Sequence, residues 1–388
     1  MKKGLIHVAV LLMAVGCSKD ELPLDLPGRY EPSTEQISLT SSDNWGDEEE
    51  AETQTRGELI PESSDFNSFT TFAYYLPSTN GAPAVWDNRA TPNFMYNQKI
   101  SRTKLDDGTF EPWEYSPVKY WPANPNDRIC FFACAPHNDR RGVEVSSSDK
   151  TGAPEFTVTP DHRPYYHQDF MTATPRLLGR SDDNEVKFTF KHKLAQVKIY
   201  AAHNGEAEDT VRILSVAISG LRESGKLIYN ETAKAYQWEH LQSGYTEGAV
   251  ATTTYTLIAD DEVPNELKTE KKTGSHLNQL SSQTSNRDEY TDISLAEGQA
   301  YLLLVPQDNI AKIDLIVLFE YEEYDTGKTA QSFQQFTLSN SSLQEGKITN
   351  YLLLIDPSEV GFGAITTSVE PWDEKEIKDD SNNDWVVE

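Results

Sequence analysis

The chain is short of cysteine, of basic charge and of long apolar runs, and each shortage excludes something. Its 388 residues include three cysteines and four methionines. Cys17 stands alone near the N-terminus, while Cys130 and Cys134 share the run Ile129-Cys130-Phe131-Phe132-Ala133-Cys134-Ala135. On a strand, residues four apart lie roughly 13 Å from one another at about 3.3 Å per residue. A disulfide needs Cα atoms roughly 4.4–6.8 Å apart. The pair is therefore expected as free packing thiols on the same side as Phe132, and the core must hold without a staple. Lysine and arginine number 34 against 62 acids, a net charge of −28. Such a surface repels phosphate backbones, so nucleic acid is excluded as a partner. After the N-terminus no segment is apolar over the roughly 20 residues a spanning helix needs. Helical periodicity is scarce. No phosphate loop, nucleophile elbow or zinc-protease signature occurs, and the carboxylates are too plentiful for a glycosidase pair to stand out. His162 and His167 flank Pro164-Tyr165-Tyr166 at a spacing that fits no metal pattern and read as a polar loop. His192 reads as a hydrogen-bonded core histidine. No catalytic residue, cofactor or metal is expected.

What the chain does have begins at its N-terminus. Lys2 and Lys3 precede an apolar run from Leu5, then Val15-Gly16-Cys17-Ser18. The run suits a secretory signal and is too short to span a bilayer. The arrangement resembles a bacterial lipoprotein signal, in which cleavage frees Cys17 for acylation. Ser18-Lys19-Asp20-Glu21 behind it resembles the surface-export signal of Bacteroidetes lipoproteins. This places residues 1–17 as signal and acylated cysteine, with the membrane reached only through the lipid. The protein is then expected on the outer face of the outer membrane.

The rest reads as strands and turns. Tyr 18, Phe 15 and Trp 7 within a 37% hydrophobic fraction suit sheet. Gln36-Ile37-Ser38-Leu39-Thr40 alternates as a short strand, and the acid-rich stretch 43–52 reads as a solvated linker before the solitary Arg56. Phe69 to Tyr75 is a strand, and Asn80-Gly81 and Asp107-Gly108 are turn pairs. From Val186 to Ala201 the apolar positions change parity, which requires a kink, placed here near Ala195-Gln196. Residues 260–292 read as a long polar loop. Tyr301 to Gln307 reads as a strand covered on both faces. Residues from Ile313 to Tyr321 alternate and should pair with Ser332 to Leu338 through the Asp325-Gly327 turn. The expected architecture is all-β, two β-sandwich domains in tandem at 57–201 and 202–388, behind a leader at 18–56.

Several elements together resemble the fimbrillin family of Bacteroidales surface pili. They are the lipoprotein signal, Arg56 between an early strand and the first domain, and Tyr120-Trp121-Pro122 ahead of Phe131-Phe132-Ala133. Phe188 to Val197, Leu304-Val305-Pro306-Gln307, Gly346 to Tyr351 and Val369-Glu370-Pro371-Trp372 complete the set. Leu343 departs from it, standing where an aromatic is expected. The resemblance implies transthyretin-like sandwiches and a precursor cut after an arginine by a trypsin-like maturation protease. It also implies polymerisation with other fimbrillin subunits by donor-strand exchange, in support of adhesion to a host or bacterial surface ligand. On this sequence the cut would fall between Arg56 and Gly57, with Arg29 the competitor. The removable strand would be Gln36 to Ser41, whose Ile37 and Leu39 fill the groove. The donor strand would be Val360 to Trp372, through Val360, Phe362, Ile365, Val369 and Trp372. An ordinary terminal strand of the chain's own sheet is the other reading of that segment. The alternative function is a monomeric surface lipoprotein that binds glycans through Trp45, Trp86, Trp113 and Trp238.

The signal reading makes a direct prediction. Metabolic labelling with palmitate should mark the wild-type precursor, and Cys17→Ala should abolish both the label and surface display.

Overall fold

The computed structural model describes residues 30–41, 66–137, 142–182, 185–205, 208–243, 251–258, 278–280, 291–293, 302–357, 361–362 and 364–371. Cys17, Trp45, Arg56, Gly57, Val360 and Trp372 lie outside them, as does most of the polar stretch 260–292. Among the described residues there is no α-helix, only strands and two short 3-10 turns.

The first half carries β1 (Pro32–Gln36), β2 (Ser38–Ser41), β3 (Ser68–Leu76), β4 (Met95–Ser101), β5 (Tyr120–Pro122) and β6 (Arg128–Ala135). It continues with β7 (Val143–Val145), β8 (Phe156–Val158), β9 (Met171–Ala173), β10 (Arg176–Leu178), β11 (Glu185–Phe188) and β12 (Phe190–His192). One sheet runs β12-β9-β6-β3-β4, with β10 also on β6. Every residue of β3 is buried, because its two faces pack into different cores. Phe69, Ala73 and Tyr75 enter the N-terminal core, whereas Phe72, Tyr74 and Leu76 join a second cluster on the other side. Cys130, Phe132 and Cys134 share that second face, and both cysteines are buried and outside any disulfide. Burial pushes the Cys130 thiol well above its usual pKa, so it packs and does not react. Asn80 and Gly81 both take positive φ, 53° and 77°, which forms the tight turn read from the sequence.

The second half carries β13 (Ala195–His203), β14 (Thr210–Arg222), β15 (Gly225–Asn230), β16 (Ala235–Trp238), β17 (Thr252–Ile258), β18 (Asn278–Gln279) and β19 (Thr291–Asp292). Then follow β20 (Leu302–Leu304), β21 (Gln307–Glu322), β22 (Thr329–Leu343), β23 (Lys347–Ile355), β24 (Gly361–Phe362) and β25 (Ala364–Pro371). Two sheets, β19-β13-β23-β25 and β17-β14-β21-β22-β24, face each other across a core that includes Ile199, Val216, Leu315, Phe336 and Leu353. The β21–β22 hairpin has the expected register, with Ile313 opposite Leu338 and Phe319 opposite Ser332. Leu343 is fully buried in this core, so the aliphatic side chain fills the place where an aromatic was expected. Leu302 and Leu304 point into the same core while Leu303 faces the other cluster, as a strand covered on both sides requires.

The run from Val186 to Ala201 breaks twice, and the second break falls beside the kink expected near Ala195-Gln196. It is interrupted at Thr189 and again at Lys193-Leu194. At the second break the backbone passes from one neighbour to another. Lys193 N–H donates to Phe170 O at 2.9 Å, and Leu194 O accepts from Gly346 N–H at 3.0 Å. The buried Lys193 ammonium reaches Glu345 at 2.5 Å and Tyr236 O at 3.3 Å. The side chains before and after the second break serve different cores, Phe188 and Phe190 the N-terminal one and Val197 and Ile199 the C-terminal one.

The two halves are joined by a shared sheet. Strands β15 and β16 add to β8 and β7 in the order β16-β15-β8-β7, and Leu227 faces Phe156 across the β15–β8 ladder. Phe132 meets Tyr74, Trp86, Tyr229 and Tyr236 edge-on at 5.1–6.3 Å between ring centres. Trp238 Nε1 donates to Lys193 O at 2.9 Å. His167 Nδ1 accepts the Leu303 N–H at 2.9 Å, so its proton sits on Nε2 and is given to Asp161 O at 2.6 Å. Gly225 is required at this joint, because a Cβ there would lie 2.7 Å from Val305 and 2.8 Å from Trp238. Phe132→Ala should therefore cost about 3–5 kcal/mol, read as a lower urea midpoint for the whole chain.

Candidate functional site: the groove filled by residues 30–41

The N-terminal core has the β12-β9-β6-β3-β4 sheet on one side, and its other side depends on a short segment far away in sequence. Residues 32–36 run antiparallel to β5, with Pro32 opposite Pro122 and Gln36 opposite Tyr120. Residues 38–41 run parallel to β11, with Leu39 opposite Val186 and Ser41 opposite Phe188. Among the described residues, β5 and β11 have no other ladder partner. The segment therefore supplies the backbone hydrogen bonds that both would otherwise leave unmade.

Ile37 lies at the crossing between the two ladders. Its N–H donates to Lys119 O at 2.9 Å, and its carbonyl accepts from Tyr115 Oη at 2.8 Å. Burial pushes the Tyr115 phenol up to about 12, so it remains a donor across the physiological range. The Ile37 side chain is 0% exposed and that of Leu39 1%. Both pack in the core with Phe69, Trp121, Phe131, Val186 and Phe188. Upstream, Tyr30 stacks edge-on against Tyr75 and Phe94 at 5.2 and 5.5 Å, and its Oη donates to Tyr120 O at 2.8 Å. Glu35 accepts from Arg180 at 2.7 Å. That hydrogen bond holds the Glu35 carboxyl below its usual value. The contact is therefore present above the ordinary carboxylate range and is lost as pH falls through the depressed folded value.

The structured segment is longer than the Gln36–Ser41 strand expected from sequence, since pairing already starts at Pro32. The inward positions of β1 hold Ser33 and Glu35, so no apolar alternation marks it. Tyr115 and Arg180 are contacts that sequence reasoning missed, with no local pattern to reveal them, and Trp121 stood out in the Tyr120-Trp121-Pro122 motif without its place beside this segment being legible.

At the other end of the chain, the candidate donor residues are divided. Phe362 lies in β24, which runs parallel to β22 opposite Gln335. Ile365 and Val369 lie in β25, antiparallel to β23 along its length, within the chain's own sheet. Ile365 packs partly against the C-terminal core, and Val369 is 50% exposed. The tryptophans considered for glycan binding are occupied with packing where they are described. Trp238 is buried. Trp86 donates to Glu231 at 2.6 Å, and Trp113 packs on Phe66 and Phe69 with Arg102 over its ring. His192 bonds Asp169 at 2.7 Å, in keeping with a hydrogen-bonded histidine.

Residues 78–372 match the family described as Fimbrillin-like. The chain belongs to that family. Its fold is similar to that of a fimbrial protein from Bacteroides vulgatus, with a TM-score of 0.54 at 17% identity over 87% of this chain and 99% of that one. Two candidate cell adhesion proteins are also similar. One is from Bacteroides uniformis, at TM-score 0.41 and 15% identity over 87% of this chain and 97% of that one. The other is from Bacteroides ovatus, at 0.44 and 14% over 89% and 99%. No curated protein matches.

Because Ile37 and Leu39 have no exposed surface left to lose, truncating either should be expensive. Ile37→Ala and Leu39→Ala should each cost about 2–5 kcal/mol, measured by urea unfolding of the uncleaved chain.

Proposed function

We propose that this fimbrillin-like chain is a structural subunit of a surface fimbria, exported as a lipoprotein on Cys17 and matured by removal of its N-terminal strand. A trypsin-like protease cuts between Arg56 and Gly57, the segment carrying Ile37 and Leu39 departs, and a strand of a neighbouring subunit takes its place. The observation that carries this reading is that β5 and β11 pair only with residues 32–41 among the described residues. Removing that segment opens two strand edges and uncovers an apolar core at once. An open edge above an apolar groove is a template for strand addition, and a head-to-tail contact that does not close on itself propagates as a filament. Arg56 follows Ser41 across an acid-rich stretch, so a cut there separates the strand from everything after Arg56, whereas a cut at Arg29 would leave the strand attached.

The donor is the C-terminal segment through Val360, Phe362, Ile365, Val369 and Trp372. In the single chain β25 closes the edge of β23, so donation requires it to leave its own sheet. Its modest anchorage, with Ile365 half-buried and Val369 half-exposed, favours that release. The glycan-binding alternative finds no support in Trp86, Trp113 or Trp238, which are held by packing and hydrogen bonds.

Arg56→Ala should leave the fold intact, retain residues 17–56 on the surface protein and stop polymerisation. N-terminal sequencing of displayed wild-type protein should begin at Gly57. Polymers whose subunits still begin at Cys17 would overturn the reading.

A further inference from the structure

The segment in the groove is a poor fit for it. Its inward positions are Ser33, Glu35, Ile37, Leu39 and Ser41, and only two of these are apolar. Glu35 escapes to Arg180 at the surface. Ser41 does not escape. It is 9% exposed, opposite Phe188 in the parallel ladder, and its Oγ is buried with no hydrogen-bond partner. Phe188 is itself fully buried, its ring 5.7 Å from Phe69. A hydroxyl thus stands unpaired against an aromatic wall, where burial without a partner is unfavourable. The same seam leaves Thr40 Oγ1 and Trp121 Nε1 buried and unpaired. It also sets Pro32 opposite Pro122, where neither residue has an N–H to give.

Resting on the reading above, we propose that Ser41 keeps the N-terminal strand replaceable. The groove position beside Phe188 is an apolar subsite that selects, from a second fimbrial subunit, a strand with three apolar side chains at alternate positions. The N-terminal segment supplies two. The polarity of the groove is fixed, because any occupant that reproduces both ladders must run antiparallel to β5 and parallel to β11. A strand of a second copy read in that direction offers Val360, Phe362 and Ala364 in the places of Ile37, Leu39 and Ser41. The register starting at Ile365 offers Thr367 in the middle and fits less well. A small apolar residue opposite Phe188 then removes the orphaned hydroxyl and introduces no bulk.

The test is made on the uncleaved full-length chain. Ser41→Val and Ser41→Thr are nearly the same shape and differ in the hydroxyl. Hydrogen exchange at the amides of residues 37–41 and 186–188 should be about tenfold slower in the Val variant than in the Thr variant, the size of one buried polar group left unpaired. Equal or faster exchange in the Val variant would overturn the proposal. If branched side chains disturb the site, Ser41→Ala against wild type decides, with slower exchange expected and equal or faster exchange contradicting. Neither cleavage nor assembly enters this measurement. A failure to polymerise would therefore count against the pilin reading and leave the role of Ser41 standing.

Discussion

Each non-proline residue of β5 and β11 carries a backbone donor and an acceptor, and in a buried layer these must be paired. Among the described residues, only the segment 32–41 pairs with either strand. The same segment lays Ile37 and Leu39 over the core that β3 and β6 present from the other side. Ladder and core cover thus come from one short piece of chain, tied to the body by residues 42–65. Uncovering both side chains together would expose apolar surface worth roughly 1.5–3 kcal/mol per residue, besides two unmet ladders. A domain that has lost such a strand cannot stay as it is, and the cheapest repair is another strand. This links the geometry of the N-terminal sandwich to assembly.

The rest of the molecule gives that site a firm mounting. The β15–β16 hairpin leaves the second half to complete a sheet with β7 and β8, and the aromatic cluster around Phe132 packs side chains from both halves. Lys193 with Glu345, Trp238 with the Lys193 carbonyl, and His167 with Leu303 satisfy the polar groups that the joint buries. Burial pushes the Glu345 carboxyl upward in pKa even with the Lys193 ammonium beside it, and the pair is buried on the lysine side, where 7% of the side chain is exposed against 32% for Glu345. A buried ammonium held in this way contributes more to fixing one arrangement of the joint than to net stability. The groove filled by residues 32–41 lies in one half and the C-terminal strand in the other, so under the proposed strand exchange a joint without play would carry load between neighbours in a filament.

Much of this was legible in the sequence where period-two alternation or aromatic density marks a strand. β3, the cysteine strand, β20 and the β21–β22 hairpin were all readable in that way. Ile37 and Leu39 were readable as a strand, but its destination between β5 and β11 was not, because pairing across some 80 to 150 residues leaves no local trace. β1 was invisible because its inward residues are Ser33 and Glu35, and polar inward residues are what a weakly seated strand would have. The break at Lys193-Leu194 was readable from the change of parity, whereas the one at Thr189 was not, because Phe188 and Phe190 on either side of it keep the same parity and enter the same core. The sharing of a sheet between β15–β16 and β7–β8 had no sequence signal. Cys17, Arg56 and the outer ends of the candidate donor strand rest on motif and resemblance.

The central claim is that β5 and β11 trade one strand for another. Hydrogen–deuterium exchange of these two strands in purified fimbriae, compared with leader-free monomers, tests it most directly. The account predicts that their amides are protected in fibres from which residues 30–41 are absent, and open in the monomers. Fibres in which residues 30–41 are still present, or in which β5 and β11 exchange as freely as in the leader-free monomer, would contradict it.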